Sequence, residues 1–381
     1  INSCFATIEQ QTDPSLRHKP IVVAAYNTPS GCIVAPSIEA KKLGIKVGMR
    51  VGDARKIYSQ LIVLTPNPDK YRHYHLLFKK LLSRYTPDFS PRSIDEFALD
   101  FSKHYQLLNL WEVAREIKQR IKMEIGDYLT VSIGLGPNRF LAKTASNLHK
   151  PDGLEEINYQ NYLSVYQNLE LTDLTGINTQ NALRLNLVGI YTVSQFLSAD
   201  IGTLNRAFKS ILSRDWYLRL RGWEVDARDW GIKSFGHSYS LPKPFSSLEH
   251  LGPILAKLVE KMSLRLRTAG YQARGVNLAI TYKDRSFWHQ SQALDHHLYD
   301  THTIYRVAHQ LLSLSPRLPV HNLSVSCFGL IKAKHLQLDL FGHETRLSSL
   351  NLAIDEIKAK YGQFSLTQGN LLGTNDLVPD R

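Results

Sequence analysis

The chain has 381 residues, 43% of them apolar and 21% charged, with 46 Lys and Arg against 34 Asp and Glu. The length exceeds what one core organises, the composition excludes a disordered or fibrous chain, and the net charge of +12 points to an anionic partner, nucleic acid first. Cys4, Cys32 and Cys327 are scattered without zinc or redox spacing, which fits a reducing, cytoplasmic setting, and no apolar run approaches membrane-spanning length.

The chain opens at Ile1 on a run that reads as a strand cut in mid-pattern, so its natural start is expected upstream. Up to about Pro151 strands and helices mix. Strands are predicted at residues 21–25, 32–35, 61–64, 88–94, 97–101 and 128–135, and helices at 69–85, 110–125 and 138–149. In the first of these helices Tyr71, Tyr74, His75, Phe78, Leu81 and Leu82 recur at helical spacing, as a core face does. An α+β layer arrangement follows.

The most informative stretch is residues 93–101, which reads as a strand with Asp95 and Glu96 side by side. Adjacent acids in a half-buried strand are costly unless a positive group neutralises them, and Mg²⁺, a hard cation, takes one or two carboxylates per ion. The plainer reading is a solvated strand end with two surface acids. Neighbours on a strand point to opposite faces, so the two can share one site only near a hairpin end.

From about 153 to 230 the pattern is helical with short loops. Gly176 and Gly189 suggest a glycine turn between short helices, whose amides can offer N–H groups to a phosphate or simply turn the chain. From 233 to 344 strands and helices return: helices at 248–269 and 301–312, strands at 276–282, 286–294 and 323–330. Basic residues outnumber acids there, which suits either a solvated face or a sheet that tracks phosphates. Gln337, Leu338, Leu340 and Phe341 form a short run with spaced apolar anchors, the shape of a docking peptide or of a local tether. A helix at 347–361 and a loose, Gly/Asn/Asp-rich end complete the chain.

Taken in order, these motifs resemble the Y-family translesion DNA polymerases of the bacterial DNA polymerase IV and V branches. The resemblance covers nearly the whole chain. It rests on residues 2–9, Glu39–Met49, Ser93–Glu96, Asn138–Lys143 with Lys150–Gly153, Lys233–His237 and Gln337–Phe341. It implies a right-hand fold: a ferredoxin-like palm (1–10 and 66–152), small fingers (11–65), a helix-hairpin-helix thumb (153–230) and an α/β little finger (231–332). A clamp-binding peptide and tail follow (333–381).

The implied activity is low-fidelity, template-directed transfer of a deoxynucleotide to a primer 3′-OH with two Mg²⁺ ions. Carried over, Asp95, Glu96 and the Ile1 backbone carbonyl are metal ligands, and the third family carboxylate belongs one position before Ile1. Phe5 matches the steric gate that excludes a 2′-hydroxyl. Cys4, Phe5, Lys41 and Lys150 match triphosphate contacts, with Ile38 and Lys41 standing where many members have Tyr and Arg. Gly176, Gly189, Lys233, Arg274 and Arg285 are expected on the DNA backbone, and Gln337, Leu338, Leu340 and Phe341 on the sliding (β) clamp. The implied partners are primer-template DNA, dNTP and the clamp, for a monomer with no membrane contact. The alternative is a catalytically silent homologue that binds DNA and clamp as an accessory subunit.

Overall fold

The computed structural model describes residues 1–103, 109–227, 231–332 and 343–362, together with 365, 366, 369 and 378. The chain divides into two compact units, Ile1–Arg228 and Asp229–Asp380.

The first unit begins with α1 (Cys4–Thr12), followed by β1 (Ile21–Ala24), β2 (Ile33–Pro36), α2 (Ile38–Lys42), α3 (Val51–Ile57) and β3 (Ile62–Leu64). The strands form a sheet in the order β2-β1-β3, antiparallel on one side of β1 and parallel on the other. β1 is buried at every position, as a central strand covered on both faces must be. The expected opening strand is absent. Ser3 adopts a left-handed conformation (φ 48°) and the helix starts at the next residue, so Phe5 lies on α1 and not on a strand. The apolar run misleads because α1 is enclosed nearly all round: Cys4, Ala6, Thr7, Ile8, Glu9 and Gln10 are all buried, which removes the helical periodicity.

Next come α4 (Pro68–Leu82), β4 (Phe89–Pro91), β5 (Phe97–Leu99) and α5 (Leu110–Arg120), then β6 (Ile133–Leu135), α6 (Arg139–Leu148) and β7 (Leu154–Glu156). Asn67 caps α4, accepting from Lys70 N at 3.1 Å, with Pro68 preset for the first turn. β4 and β5 are an antiparallel hairpin in which Pro91 faces Phe97, so residues 92–96 form its tip. Asp95 and Glu96 therefore sit in a turn rather than within a strand, which removes the conflict over opposite faces. Beneath them Ile8, Tyr71, Phe78, Leu81, Ile117 and Leu129 make one core.

Five short helices follow: α7 (Tyr162–Gln167), α8 (Thr179–Asn186), α9 (Val193–Ser198), α10 (Ile201–Phe208) and α11 (Leu212–Arg219). They close around Tyr166, Leu185, Phe196 and Trp216, and Phe140, Leu141 and Ala145 of α6 pack into the same core. Asn138 fixes α6 there. It accepts from Leu141 N at 2.7 Å and donates to the carbonyls of Arg219 (2.8 Å) and Trp223 (2.9 Å).

The second unit holds β8 (Ser234–Phe245), α12 (Leu248–Thr268), β9 (Tyr271–Tyr282), β10 (Phe287–Leu298), α13 (Thr301–Leu314), β11 (Val320–Phe328), β12 (Ile331–Lys332) and α14 (His343–Tyr361). The sheet runs β10-β9-β11-β8 with antiparallel pairings. Val276, Leu278, Ile280, Leu323, Val325 and Cys327 join Leu255, Leu258, Met262, Ala308 and Leu311 of α12 and α13 in one core. The alternate positions make a small polar row across four paired strands, Gly236, Ser326, Asn277 and Ser291. α14 is tied to α12 by ion pairs, and beyond it Val378 is packed into the same unit. Arg267 forks onto Asp355 at 2.7 and 2.8 Å, and Lys358 pairs with Glu260. Val378 is buried, its carbonyl accepting from Lys261 at 2.8 Å.

Candidate active site

The tip of the β4–β5 hairpin is closed by its own backbone: the N–H groups of Arg92 and Ser93 both donate to the Glu96 carbonyl, at 2.8 and 3.2 Å. Ser93 Oγ donates to the Asp95 carboxylate at 2.6 Å. The Ile1 nitrogen donates to the Asp95 carbonyl at 2.9 Å, and Asn2 N donates to the Thr130 carbonyl at 3.0 Å. Ile1 and Asn2 thus bridge the acid tip to the segment ahead of β6. Asn2 is buried in that bridge, bonded to Thr130 Oγ1 and Ser132 Oγ.

Beside the tip stands the N-terminus of α1. The N–H groups of Cys4, Phe5 and Ala6 point out of the first turn and have no partner among the described residues; the first intrahelical bond is Thr7 N to the Ser3 carbonyl, 2.9 Å. Ser3 Oγ is buried and unpartnered as well. Unsatisfied donors at the positive end of a helix dipole favour an anion. The Cys4 thiol cannot compete for that role: burial, and then the field of Asp95, push its pKa up to about 12.

Three lysines cluster at the acid tip, Lys150 lying in the fields of Lys143, Lys41, Glu96 and Asp95. Lys41 comes from α2, Lys143 from α6, and Lys150 from the turn after α6. Lys41 and Lys150 are solvent-accessible and, among the described residues, have no carboxylate partner. Both nevertheless have pKa values below that of an ordinary lysine. Desolvation by the surrounding protein is the main cause, and at Lys150 the fields of Lys143 and Lys41 add to it against the opposite pull of Glu96 and Asp95. Cations gathered without counter-ions mark a place that a multivalent anion would neutralise. The third, Lys143, pairs directly with Glu96. Lys143 carries no role in the sequence motif, and its pairing with Glu96, 47 residues away, leaves no local signal.

Two further supports escaped the sequence. Lys118 donates to the carbonyls of Val131 (3.1 Å) and Gly153 (3.2 Å) and pairs with Asp152, which pins the turn carrying Lys150. Phe5 stacks on Tyr71 with ring centroids 4.3 Å apart, and the Tyr71 hydroxyl donates to buried Glu9 at 2.8 Å. Phe5 therefore has one ring face held by the protein and remains only partly covered. No charge signal could have revealed it, because stacking partners lie far apart in sequence.

The remaining expected residues are spread over both units. Gly176 (φ 95°) and Gly189 (φ 85°) flank α8 in conformations that favour glycine. The N–H of Gly189 is already spent on the Asn186 carbonyl at 3.0 Å, so it is not a free donor to phosphate. In the second unit Arg274 lies exposed on β9, Arg285 (φ 71°) sits in the β9–β10 turn rather than on a strand, and Lys233 precedes β8. Gln337, Leu338, Leu340 and Phe341 lie outside the described residues. No group of three His, Cys, Asp or Glu side chains stands ready for a metal among the described residues, and no helix there is long and apolar enough to cross a membrane.

Comparison with known proteins gives a consistent result. Residues 1–147 match the impB/mucB/samB family and residues 232–340 match the impB/mucB/samB family C-terminal domain. DNA polymerase IV of Moorella thermoacetica is 35% identical over 95% of this chain and 92% of its own length; that of Pelotomaculum thermopropionicum is 30% identical over 100% and 96%. Among solved structures, a Y-family DNA polymerase chimera superposes with a TM-score of 0.77 at 25% identity, covering 87% of this chain and 97% of that one. DinB from Sulfolobus solfataricus superposes with a TM-score of 0.57 at 25% identity, over 86% and 96%. With its acid-tipped hairpin beside an anion-ready helix end, this chain belongs to the impB/mucB/samB family of bacterial Y-family translesion polymerases and is a DNA-directed DNA polymerase.

Proposed function

We propose that the cluster around Asp95 and Glu96 carries out low-fidelity transfer of a deoxynucleotide from dNTP to a primer 3′-OH on a damaged template. The observation that carries this reading is the pairing of opposites: two carboxylates on a hairpin tip beside α1 amides and two lysines that, among the described residues, lack partners and counter-ions. The donor set fits Mg²⁺, because every candidate ligand atom is oxygen and a pair of carboxylates leaves positions for phosphate oxygens. Asp95, Glu96 and the Ile1 carbonyl are assigned to holding two such ions, which when bound activate the 3′-oxygen and neutralise the leaving pyrophosphate.

The chain's own groups do the rest. The Cys4 and Phe5 amides with Lys41 and Lys150 grip the triphosphate. Tyr71 holds the Phe5 ring as a wall against the sugar, leaving no space for a 2′-hydroxyl. Residues 1–10 with 66–152 serve as palm, 11–65 as fingers, 153–230 as thumb and 231–332 as little finger. Gly176, Lys233, Arg274 and Arg285 contact the DNA backbone, while Gly189, whose N–H is spent on the Asn186 carbonyl, serves to turn the chain. Gln337, Leu338, Leu340 and Phe341 tether the enzyme, a cytoplasmic monomer, to the β clamp.

Primer extension tests this. Asp95→Ala and Glu96→Ala are expected to abolish Mg²⁺-dependent incorporation while DNA binding persists. Phe5→Val is expected to admit ribonucleotides with dNTP incorporation retained. Activity surviving loss of both acids would overturn the metal assignment, and unchanged sugar selection would remove Phe5 from its role.

A further inference from the structure

We infer that Lys143 is the resident counter-cation of Glu96: its ammonium occupies the carboxylate until a divalent ion displaces it, so this lysine sets how tightly the site takes metal. The inference rests on the assignment of Glu96 to metal. It starts from an asymmetry between the two acids. Asp95 is satisfied by a neutral hydroxyl, Ser93 Oγ at 2.6 Å, whereas Glu96 meets a cation, the Lys143 ammonium. Among the described residues, a metal arriving at the hairpin tip finds one carboxylate without a direct ion pair and the other already paired with a cation.

The contact is built for exchange rather than for permanence. The side chains of Lys143 and Glu96 are 29% and 41% accessible, so water reaches both and neither is locked. The backbone of Lys143 is firm, by contrast. α6 lies directly on β6, where a Cβ on Gly134 would come within 1.9 Å of the Ala142 carbonyl, and Asn138 caps the helix. A flexible stem on a fixed helix lets the ammonium leave Glu96 without any backbone movement.

The surroundings of the released ammonium are cationic. Lys143 already acts electrostatically on Lys150, which has no carboxylate of its own among the described residues. Released from Glu96, Lys143 adds to that positive cluster. The move is unfavourable alone and favourable once a triphosphate is bound. Metal and nucleotide would therefore assist one another through this side chain.

Binding of Mn²⁺ alone to the full chain, followed by the electron paramagnetic resonance of the free ion, tests this without relying on turnover. Lys143→Met removes the competitor and is expected to tighten Mn²⁺ about three- to tenfold, the scale of one solvent-screened pair of unit charges, which the ion no longer has to break. Lys143→Arg keeps the charge and is expected to stay near wild type. Glu96→Gln is expected to weaken Mn²⁺ binding and to erase any gain from Lys143→Met. Lys143→Gln stands in if the Met variant melts abnormally. Unchanged or weaker Mn²⁺ binding by the Lys143 variants, with Glu96→Gln still weakening it, overturns the role of Lys143 alone. No effect of Glu96→Gln overturns both the role and the metal assignment beneath it.

Discussion

Lys150 keeps a positive charge in surroundings that penalise it. Desolvation, Lys143 and Lys41 lower its pKa; Glu96 and Asp95 oppose them without cancelling the shift. The folded-state pKa lies below the unfolded value of about 10.4. Holding the proton therefore costs stability at every pH below the folded pKa, and that cost is relieved as pH rises through it. Lys150→Met is accordingly expected to raise the melting temperature at neutral pH. The same substitution should raise KM for dNTP about 10- to 100-fold, the size of a lost charge-assisted hydrogen bond of about 1.5–3 kcal/mol. In the wild type, nucleotide affinity should decline with rising pH earlier than an ordinary lysine would dictate, and Lys150→Met should flatten that decline. KM profiles from about pH 7 to 10 check both statements. A variant that melts lower and binds dNTP unchanged would reduce Lys150 to a surface residue. The stability–activity opposition is the expected mark of a group retained for binding.

At the level of elements, the site depends on how closely α6 approaches β6. The Cβ of an alanine at Gly134 would lie 1.9 Å from the Ala142 carbonyl and 2.3 Å from Ser146 N, and these are backbone atoms that cannot rotate away. Gly134→Ala is expected to destabilise the fold by about 1–3 kcal/mol through overpacking. It should also push Lys143 and the Lys150 turn outward, so that KM for dNTP rises at temperatures where the protein is still folded. Denaturant titration with nucleotide kinetics on the same preparation separates the two effects. This contact was invisible in the sequence, where Gly134 is one glycine in an apolar run. The α13 helix and β9 were legible because one face of each is buried and the period survives. β8 was not: Gly236, Pro242 and Pro244 interrupt its pattern, and only its pairing with β11 makes it a strand. The acids at 95 and 96 were legible as a chemical pair, but their place on a hairpin tip follows from the Pro91–Phe97 register. Pairings such as Glu96 with Lys143 and Phe5 with Tyr71 join residues distant in sequence, where local periodicity carries no information.

For the molecule as a whole, a net charge of +12 makes DNA affinity depend chiefly on counter-ion release. If the enzyme covers about 6–10 phosphates, raising salt from about 50 to 200 mM should weaken binding roughly 10³- to 10⁵-fold, with little dependence on sequence. Arg274 on β9 and Arg285 beyond its end lie roughly 30 Å apart at about 3.3 Å per strand residue. Duplex DNA carries one charge per about 1.7 Å of axis, so one phosphate cannot serve both side chains. Their effects should then be independent and add. Arg274→Ala and Arg285→Ala are each expected to reduce the salt slope by about 0.9, and the double variant by about 1.8, with affinity falling uniformly across template sequences. Fluorescence anisotropy over a salt series measures the slopes directly. A slope that stays at the wild-type value in the double variant would place the phosphate-tracking charges elsewhere, leaving the polar row of Gly236, Ser326, Asn277 and Ser291 to meet DNA through uncharged contacts that salt does not screen.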